Sequence, residues 1–178
     1  MLKKQGLYLP EFEHDNCGAG FICSLKGNKS NDIIHKALEI LEKLEHRGAV
    51  SADGKTGDGA GILIDIPHVF FVKKCNFHLP DEGEYAVSNV FLPKKENQRN
   101  YCIQKLEYYI EKQGLVVLGW REVPIDASVI GRIASETEPY IKQIFVEKQD
   151  EKQDDFTFNF SNCIKLGDAF NTYFGIQA

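Results

Sequence analysis

A glycine-rich run between two regular patterns restricts the fold of this chain more than any other feature. Residues 49–61 read Ala-Val-Ser-Ala-Asp-Gly-Lys-Thr-Gly-Asp-Gly-Ala-Gly, and four glycines among these thirteen residues open backbone conformations that other residues avoid. Before the run, apolar residues recur at three- and four-residue spacing from Ile34 to Leu44, which predicts a helix. After it, Ile-Leu-Ile-Asp-Ile at 62–66 predicts a strand that ends at Pro67. The run therefore joins a helix to a strand.

Helices and strands alternate along most of the chain. The first helix is expected to begin with Ser30 or Asn31 as its N-cap, with Asp32 in the first turn and Gly48 at the C′ position. The spacing also predicts strands at 20–25, 62–66, 85–92, 115–118, 141–146 and 156–160, and helices at 97–113 and near 129–134. Gly131 interrupts the last helical pattern. These elements indicate a mixed fold of the α/β (α+β) class.

Size and charge exclude several classes of protein. The 178 residues are the length of one domain, and 21 Lys and Arg against 26 Asp and Glu leave a net charge of -5. No nucleic acid is expected as a partner, because binding to phosphates needs a concentrated basic face. No membrane span is expected, because no apolar stretch approaches ~18–20 residues. Residues 1–16 do not form a secretory signal, so we expect a cytoplasmic protein.

The cysteines indicate neither a disulfide scaffold nor a metal site. Their number, five, is odd, no Cys-x-x-Cys occurs, and no regularly spaced histidines accompany them. We therefore expect mostly reduced and buried thiols, at positions 17, 23, 75, 102 and 163.

The character of the chain changes at Glu147. Glu-Lys-Gln-Asp occurs at 147–150 and again at 151–154, in a solvated run of low complexity. We place a boundary at this point and treat residues 151–178 as a divergent tail.

Cys17 is the residue with the clearest potential for chemistry. It follows sixteen mainly polar residues and opens into the first predicted strand. Removal of residues 1–16 would make Cys17 the N-terminus, where its own α-amino group can act as the base for its thiol. Local composition by itself favours the alternative, a small buried cysteine beside a glycine turn.

Four motifs resemble the start of the class II glutamine amidotransferase domain of glutamate synthases. They are Asp-Asn-Cys-Gly-Ala-Gly-Phe-Ile at 15–22, Leu-Glu-His-Arg-Gly-Ala at 44–49, Ala-Asp-Gly-Lys-Thr-Gly-Asp-Gly-Ala-Gly-Ile-Leu at 52–63, and Ile-Pro-His-Val-Phe-Phe at 66–71. A Cys-Gly pair alone carries little weight, but four motifs in this order are specific. Weaker similarity continues to about residue 150.

The resemblance implies an N-terminal-nucleophile fold, an αββα sandwich of antiparallel sheets, matured by cleavage between Asn16 and Cys17. Residues 1–16 would then be a propeptide, and residues 17–150 the N-terminal part of the domain. Freed Cys17 would attack the side-chain amide of L-glutamine and form a glutamyl thioester. Ammonia would leave, and hydrolysis of the thioester would yield glutamate.

The same resemblance implies further cofactors and partners. In complete glutamate synthases the ammonia travels to a domain that holds FMN and an iron–sulfur cluster, whereas this chain itself is expected to hold no cofactor and no metal. Its implied partners are L-glutamine, the remainder of the large subunit and the small subunit.

Three more motif residues have two interpretations each. Arg47 and Gly48 either shape the helix exit beside the nucleophile, or Arg47 satisfies the last carbonyls of the helix. Asp58 either orders the loop near Cys17 or serves as a simple turn residue, which is the interpretation that composition favours.

The substrate-binding motifs of the resembled family do not occur in these 178 residues. Neither a His-Gln-Arg-Phe-Ser-Thr-like motif for the glutamine carboxylate nor a His-Asn-Gly-Glu-like motif for the oxyanion is present. We therefore expect an incomplete domain, from a truncated or frame-shifted gene product, that is inactive alone. The alternative is a catalytically inactive remnant that acts only as an interaction module.

Overall fold

A computed structural model describes residues 18–57, 59–148 and 176–177 of the chain. They divide into two units. The first unit contains the residues up to Ile64 together with Ile130–Ile133, and the second contains Asp65–Val129 and the residues from Ala134 onward.

The main helix of the first unit is α1, Asn31–Lys43. Its predicted N-cap is confirmed at Ser30, whose Oγ accepts a hydrogen bond from the amide of Ile33 at 3.4 Å. A short 3-10 helix, Glu45–Arg47, follows. The prediction that Gly48 occupies a left-handed C′ position is wrong, because α1 ends five residues earlier and Gly48 is extended, with φ −93° and ψ 154°.

The chain before α1 runs against the apolar side of that helix. A Cβ at Gly18 would lie 3.0 Å from Leu44 Cδ2, and a Cβ at Gly20 would lie 2.6 Å from Ile40 Cγ2. Both glycines therefore allow a close approach of backbone to helix. No residue of α1 is fully buried, although its apolar residues follow helical spacing.

Two of the predicted strands, at 20–25 and 62–66, do not form in the structure. Residues 20–25 and 62–66 are described but form neither helix nor strand. Three of their large apolar side chains are almost fully exposed, with Phe21 90%, Leu25 99% and Leu63 89% exposed. A strand is stabilised by backbone hydrogen bonds to a neighbouring strand. Neither segment pairs with a neighbouring strand among the described residues.

The second unit is built on an antiparallel sheet. Its strands are β1 (Tyr85–Leu92), β2 (Leu115–Glu122), β3 (Tyr140–Lys148) and β4 (Ile176–Gln177), in the spatial order β2, β3, β1, β4. Tyr85 pairs with Glu147, and Leu115 pairs with Lys148. The strand prediction at 85–92 is confirmed at both ends, whereas β2 and β3 extend beyond the predicted bounds.

Helix α3, Glu96–Lys112, covers one face of the sheet and confirms the helix predicted at 97–113. Its Cys102 and Ile110 pack against every second residue of the strands, because alternate strand residues point to the same face. The buried residues of this cluster are Val90, Leu92, Cys102, Ile110, Leu115, Ile144 and Val146.

The opposite face of the sheet carries an aromatic cluster. Phe145 of β3 is completely buried, and its ring lies 5.0 Å from that of Phe71 and 5.3 Å from that of Phe77, edge to face in both pairs. Phe71 belongs to helix α2, His68–Lys74, which the sequence patterns did not predict. The sheet is therefore apolar on both faces.

The last short helix is displaced from its predicted position. Helix α4 spans Arg132–Thr137, so Gly131 precedes it and does not interrupt it. The strand predicted at 156–160 lies outside the described residues. Among the described residues, no helix combines the length and the apolar character that a membrane span needs. A mixed fold with an antiparallel sheet is confirmed.

Candidate functional site

Gly18 is the described residue that is nearest in the sequence to the predicted nucleophile. Cys17 and Asp58 lie outside the described residues, and of Arg47 the backbone is described. Gly18, the residue after Cys17, contacts the side chain of Leu44 at the end of α1. The described part of the candidate site therefore consists of two segments of the first unit, residues 18–20 and the residues that follow α1.

The Arg-Gly motif lies within residues 44–48, which follow α1 and which we call the exit of α1. Arg47 is the last residue of the 3-10 helix, and the amide of Gly48 donates a 3.0 Å hydrogen bond to the carbonyl of Glu45. Gly48 is exposed, and a Cβ there would lie 3.5 Å from that same carbonyl, an ordinary contact. In the sequence, Gly48 follows Leu44, the contact of Gly18, by four residues.

The glycine-rich run folds back on itself immediately after this exit. Val50 bridges Gly57, and the amide of Ser51 donates a 2.6 Å hydrogen bond to the carbonyl of Thr56. Gly54 turns the loop with φ +69°, a left-handed conformation that favours glycine, and donates to the carbonyl of Ser51. The run at 49–57 is a closed loop, which we call the clasp loop.

Asp53 organises the inside of the clasp loop, and the sequence patterns did not single it out. Its Oδ1 accepts from the amides of Lys55 at 3.1 Å and Thr56 at 2.8 Å, and its Oδ2 accepts from Thr56 Oγ1 at 2.6 Å. The hydroxyl and amide of Thr56 hold the pKa of Asp53 well below its usual range. The Asp-Gly pair at 53–54 is a turn signal that could have marked this position.

The other cysteines have no assigned chemistry. Cys23 is exposed, Cys75 is half-buried and Cys102 is buried in the core under α3, and all three are free thiols. Burial raises the pKa of Cys75 and of Cys102, which disfavours the reactive thiolate. Within the described ranges, no cluster of three or more His, Cys, Asp or Glu has the arrangement of a metal site.

Gly18, the residue after Cys17 in the sequence, allows the chain to lie close to the end of α1. An N-terminal cysteine carries nucleophile and base on one residue, so it needs no histidine from the surrounding structure.

Comparison with known proteins gives a consistent result. The family model described as glutamine amidotransferases class-II matches residues 17–163, so it begins at Cys17 and continues past the boundary predicted at residue 150. Over 159 residues, 89% of this chain, the sequence is 43% identical to the NADPH glutamate synthase large chain of Bacillus subtilis. It is 44% identical over 86% of this chain to the NADH glutamate synthase of Saccharomyces cerevisiae.

A third relative matches a larger share of the chain. Ferredoxin-dependent glutamate synthase 2, chloroplastic, of Arabidopsis thaliana is 37% identical over 93% of this chain. The chain spans 10%, 8% and 10% of the lengths of these three relatives. The family match covers most of the sequence and begins at the predicted nucleophile, so the chain belongs to the class II glutamine amidotransferases and resembles the amidotransferase domain of glutamate synthases.

Proposed function

We propose that this chain provides the glutamine-hydrolysing nucleophile of a glutamate synthase, with Cys17 as that nucleophile. The observation that carries the proposal is the family match that begins at Cys17. The close approach of Gly18 to Leu44 supports it, because this brings the second residue of the matched region to the end of α1.

The reaction proceeds in two steps. Cys17 Sγ attacks the side-chain carbonyl carbon of L-glutamine while the α-amino group of Cys17 accepts the thiol proton. The carbon–nitrogen bond breaks, the nitrogen takes up that proton and leaves as ammonia, and a glutamyl thioester remains. Water then adds to the thioester, which releases glutamate and returns a proton to the thiol.

The proposal includes maturation and a two-sheet fold. Cleavage between Asn16 and Cys17 would remove the propeptide and free the α-amino group. The described sheet would be one of two antiparallel sheets in an αββα sandwich. Its apolar residues on both faces support this, because a sheet with one solvated face would alternate apolar and polar residues.

The relatives supply the proposed biological context. They are named as glutamate synthases, so the ammonia would serve glutamate biosynthesis, in the cytoplasm, together with the remainder of the large subunit and a small subunit. FMN and an iron–sulfur cluster would belong to that remainder. Arg47, Gly48 and Asp58 would support the nucleophile.

A specific observation favours a second candidate function, an interaction module without catalysis. Phe21, Leu25 and Leu63 are large apolar residues that are almost fully exposed in the structure. Exposed apolar residues of this kind are typical of surfaces that associate with another protein.

One experiment separates the two functions. The chain, purified together with the remainder of the large subunit, is treated with the diazo-ketone analogue of glutamine, and the mass of the chain is measured before and after treatment. The expected result is a chain that begins at Cys17 and carries one label on that residue. Cys17→Ser should abolish labelling, whereas the matched variant Cys23→Ser, which removes an exposed free thiol, should leave it unchanged. A folded chain that keeps residues 1–16 and takes no label would refute the catalytic proposal.

A further inference from the structure

The carboxylate of Asp53 connects two segments that are far apart in the sequence. Besides its bonds to Lys55 and Thr56, Asp53 Oδ2 accepts a 3.2 Å hydrogen bond from the amide of Ile133, eighty residues further along the chain. Both partners belong to the first unit, which includes Ile130–Ile133. A turn residue that only closes its own loop would not make this bond.

The approach of the second segment depends on Gly131. A Cβ at this position would overlap Thr56 Oγ1 and lie 2.6 Å from both Asp53 Oδ2 and the amide nitrogen of Thr56. Gly131 is buried, and no residue other than glycine fits this space without displacement of the loop. The carboxylate of Asp53 and the backbone at Gly131 are therefore closely packed against each other.

The clasp loop is directly continuous with the candidate site. It begins at the residue after Gly48, and Leu44, which Gly18 contacts, lies at the other end of the same helix exit. Any shift of the loop therefore changes the backbone that leads away from the Arg-Gly motif. The bridge between Val50 and Gly57 joins the two ends of the loop that contains Asp53, and Val50 lies two residues after Gly48.

We propose that Asp53 is a positioning residue for the glutaminase site, because its carboxylate ties the clasp loop to the Ile130–Ile133 segment and so holds the exit of α1 in place. This inference rests on the proposed function of Cys17. Asp53 acts through the loop and takes no part in proton transfer.

The test compares two electrophiles on the same thiol, in the chain purified together with the remainder of the large subunit. The diazo-ketone analogue of glutamine must be positioned by the site, whereas iodoacetamide needs only an accessible thiol. In Asp53→Ala, the rate constant for labelling of Cys17 by the glutamine analogue should fall about tenfold, because small displacements of a site lower its reactivity strongly. The rate with iodoacetamide should stay unchanged.

Asp53→Asn separates the long-range bond from the amide bonds of the turn. Its Oδ1 still accepts from the amides of Lys55 and Thr56, but an NH₂ group replaces the oxygen that accepts from Ile133 and from the Thr56 hydroxyl. The NH₂ group can donate to that hydroxyl, so the amide of Ile133 is the donor that loses its acceptor. The rate constant for labelling of Cys17 by the glutamine analogue is again expected to fall about tenfold, because the bond from Ile133 is lost while the amide bonds of the turn remain. The matched control is Asp126→Ala, because Asp126 accepts from the amide and hydroxyl of Ser128 in a comparable turn of the second unit.

The outcomes are distinct. Labelling of Asp53→Asn at the wild-type rate would overturn the inference while the proposed function stands. An equal loss with both electrophiles would also overturn it, because it would indicate general disruption and not positioning. Absence of labelling in the wild-type chain would refute the proposed function and the inference with it.

Discussion

The buried hydroxyl of Ser88 is expected to lower the stability of the folded state. It lies in β1, is 4% exposed, and its hydroxyl has no hydrogen-bond partner in the described part of the chain. A buried hydroxyl that has lost its water without gaining a partner destabilises the folded state. Ser88→Ala is therefore expected to raise the free energy of unfolding by about 1 kcal/mol, as measured by urea denaturation.

The control for this prediction is a serine that has a partner. The hydroxyl of Ser128 donates a 2.6 Å hydrogen bond to Asp126, so Ser128→Ala should not stabilise the chain. If Ser88→Ala instead lowers the free energy of unfolding, the Ser88 hydroxyl has a favourable interaction in solution and does not destabilise the folded state.

Individual residues differ in how far the sequence predicts their roles. Cys17 stands out in the sequence because nucleophile and base on one residue need no partner from elsewhere. Asp53 did not stand out, because a turn signal predicts only its bonds to Lys55 and Thr56. Its bond to Ile133 spans eighty residues, and only the folded backbone brings the two together.

At the scale of elements, Gly119 explains an irregularity in β2. The register between β2 and β3 shifts between Val117 and Gly119, and the ring of Phe77 occupies the space beside the glycine. A Cβ at Gly119 would lie 2.5 Å from Phe77 Cδ1. Gly119→Ala is expected to lower the free energy of unfolding by about 1–3 kcal/mol, the usual cost of overpacking, in thermal or urea denaturation.

Gly59→Ala is the matched control for Gly119→Ala. No atom lies within 4 Å of the position that its Cβ would take, so the added methyl group meets open space. Its effect on stability should be small. Equal losses in the two variants would show that Phe77 does not restrict position 119.

The elements also show which sequence patterns are reliable. Strand β1 and helix α3 were predicted almost to the residue, because each has a regular period and flanking signals. The strands predicted at 20–25 and 62–66 were wrong, since an apolar run forms a strand only beside a partner. Helix α2 was missed because seven residues are too short for a clear helical period.

The two units of the whole molecule are expected to differ in stability. The second unit contains two buried clusters on opposite faces of its sheet, whereas the described residues of the first unit include no buried hydrophobic side chain. Local opening is easier where few apolar contacts must be broken. Amide hydrogen exchange in α1 should therefore be at least about tenfold faster than in α3, as measured by mass spectrometry of peptides.

The comparison of α1 with α3 controls for secondary structure. Both are helices, but α3 buries Cys102 and Ile110, and no residue of α1 is buried. Equal protection of the two helices would show that α1 is covered in solution by something that the described residues do not provide.

The sequence by itself determined the family and the elements whose stability comes from neighbours in the chain. The order of motifs from Cys17 to Phe71 indicated a class II glutamine amidotransferase, and local periodicity was sufficient for α1, α3 and β1. Only the tertiary structure decided the strand register, the aromatic cluster around Phe145 and the bond from Ile133 to Asp53. These depend on contacts between distant residues, and the free energy of such contacts exists only once the chain is folded.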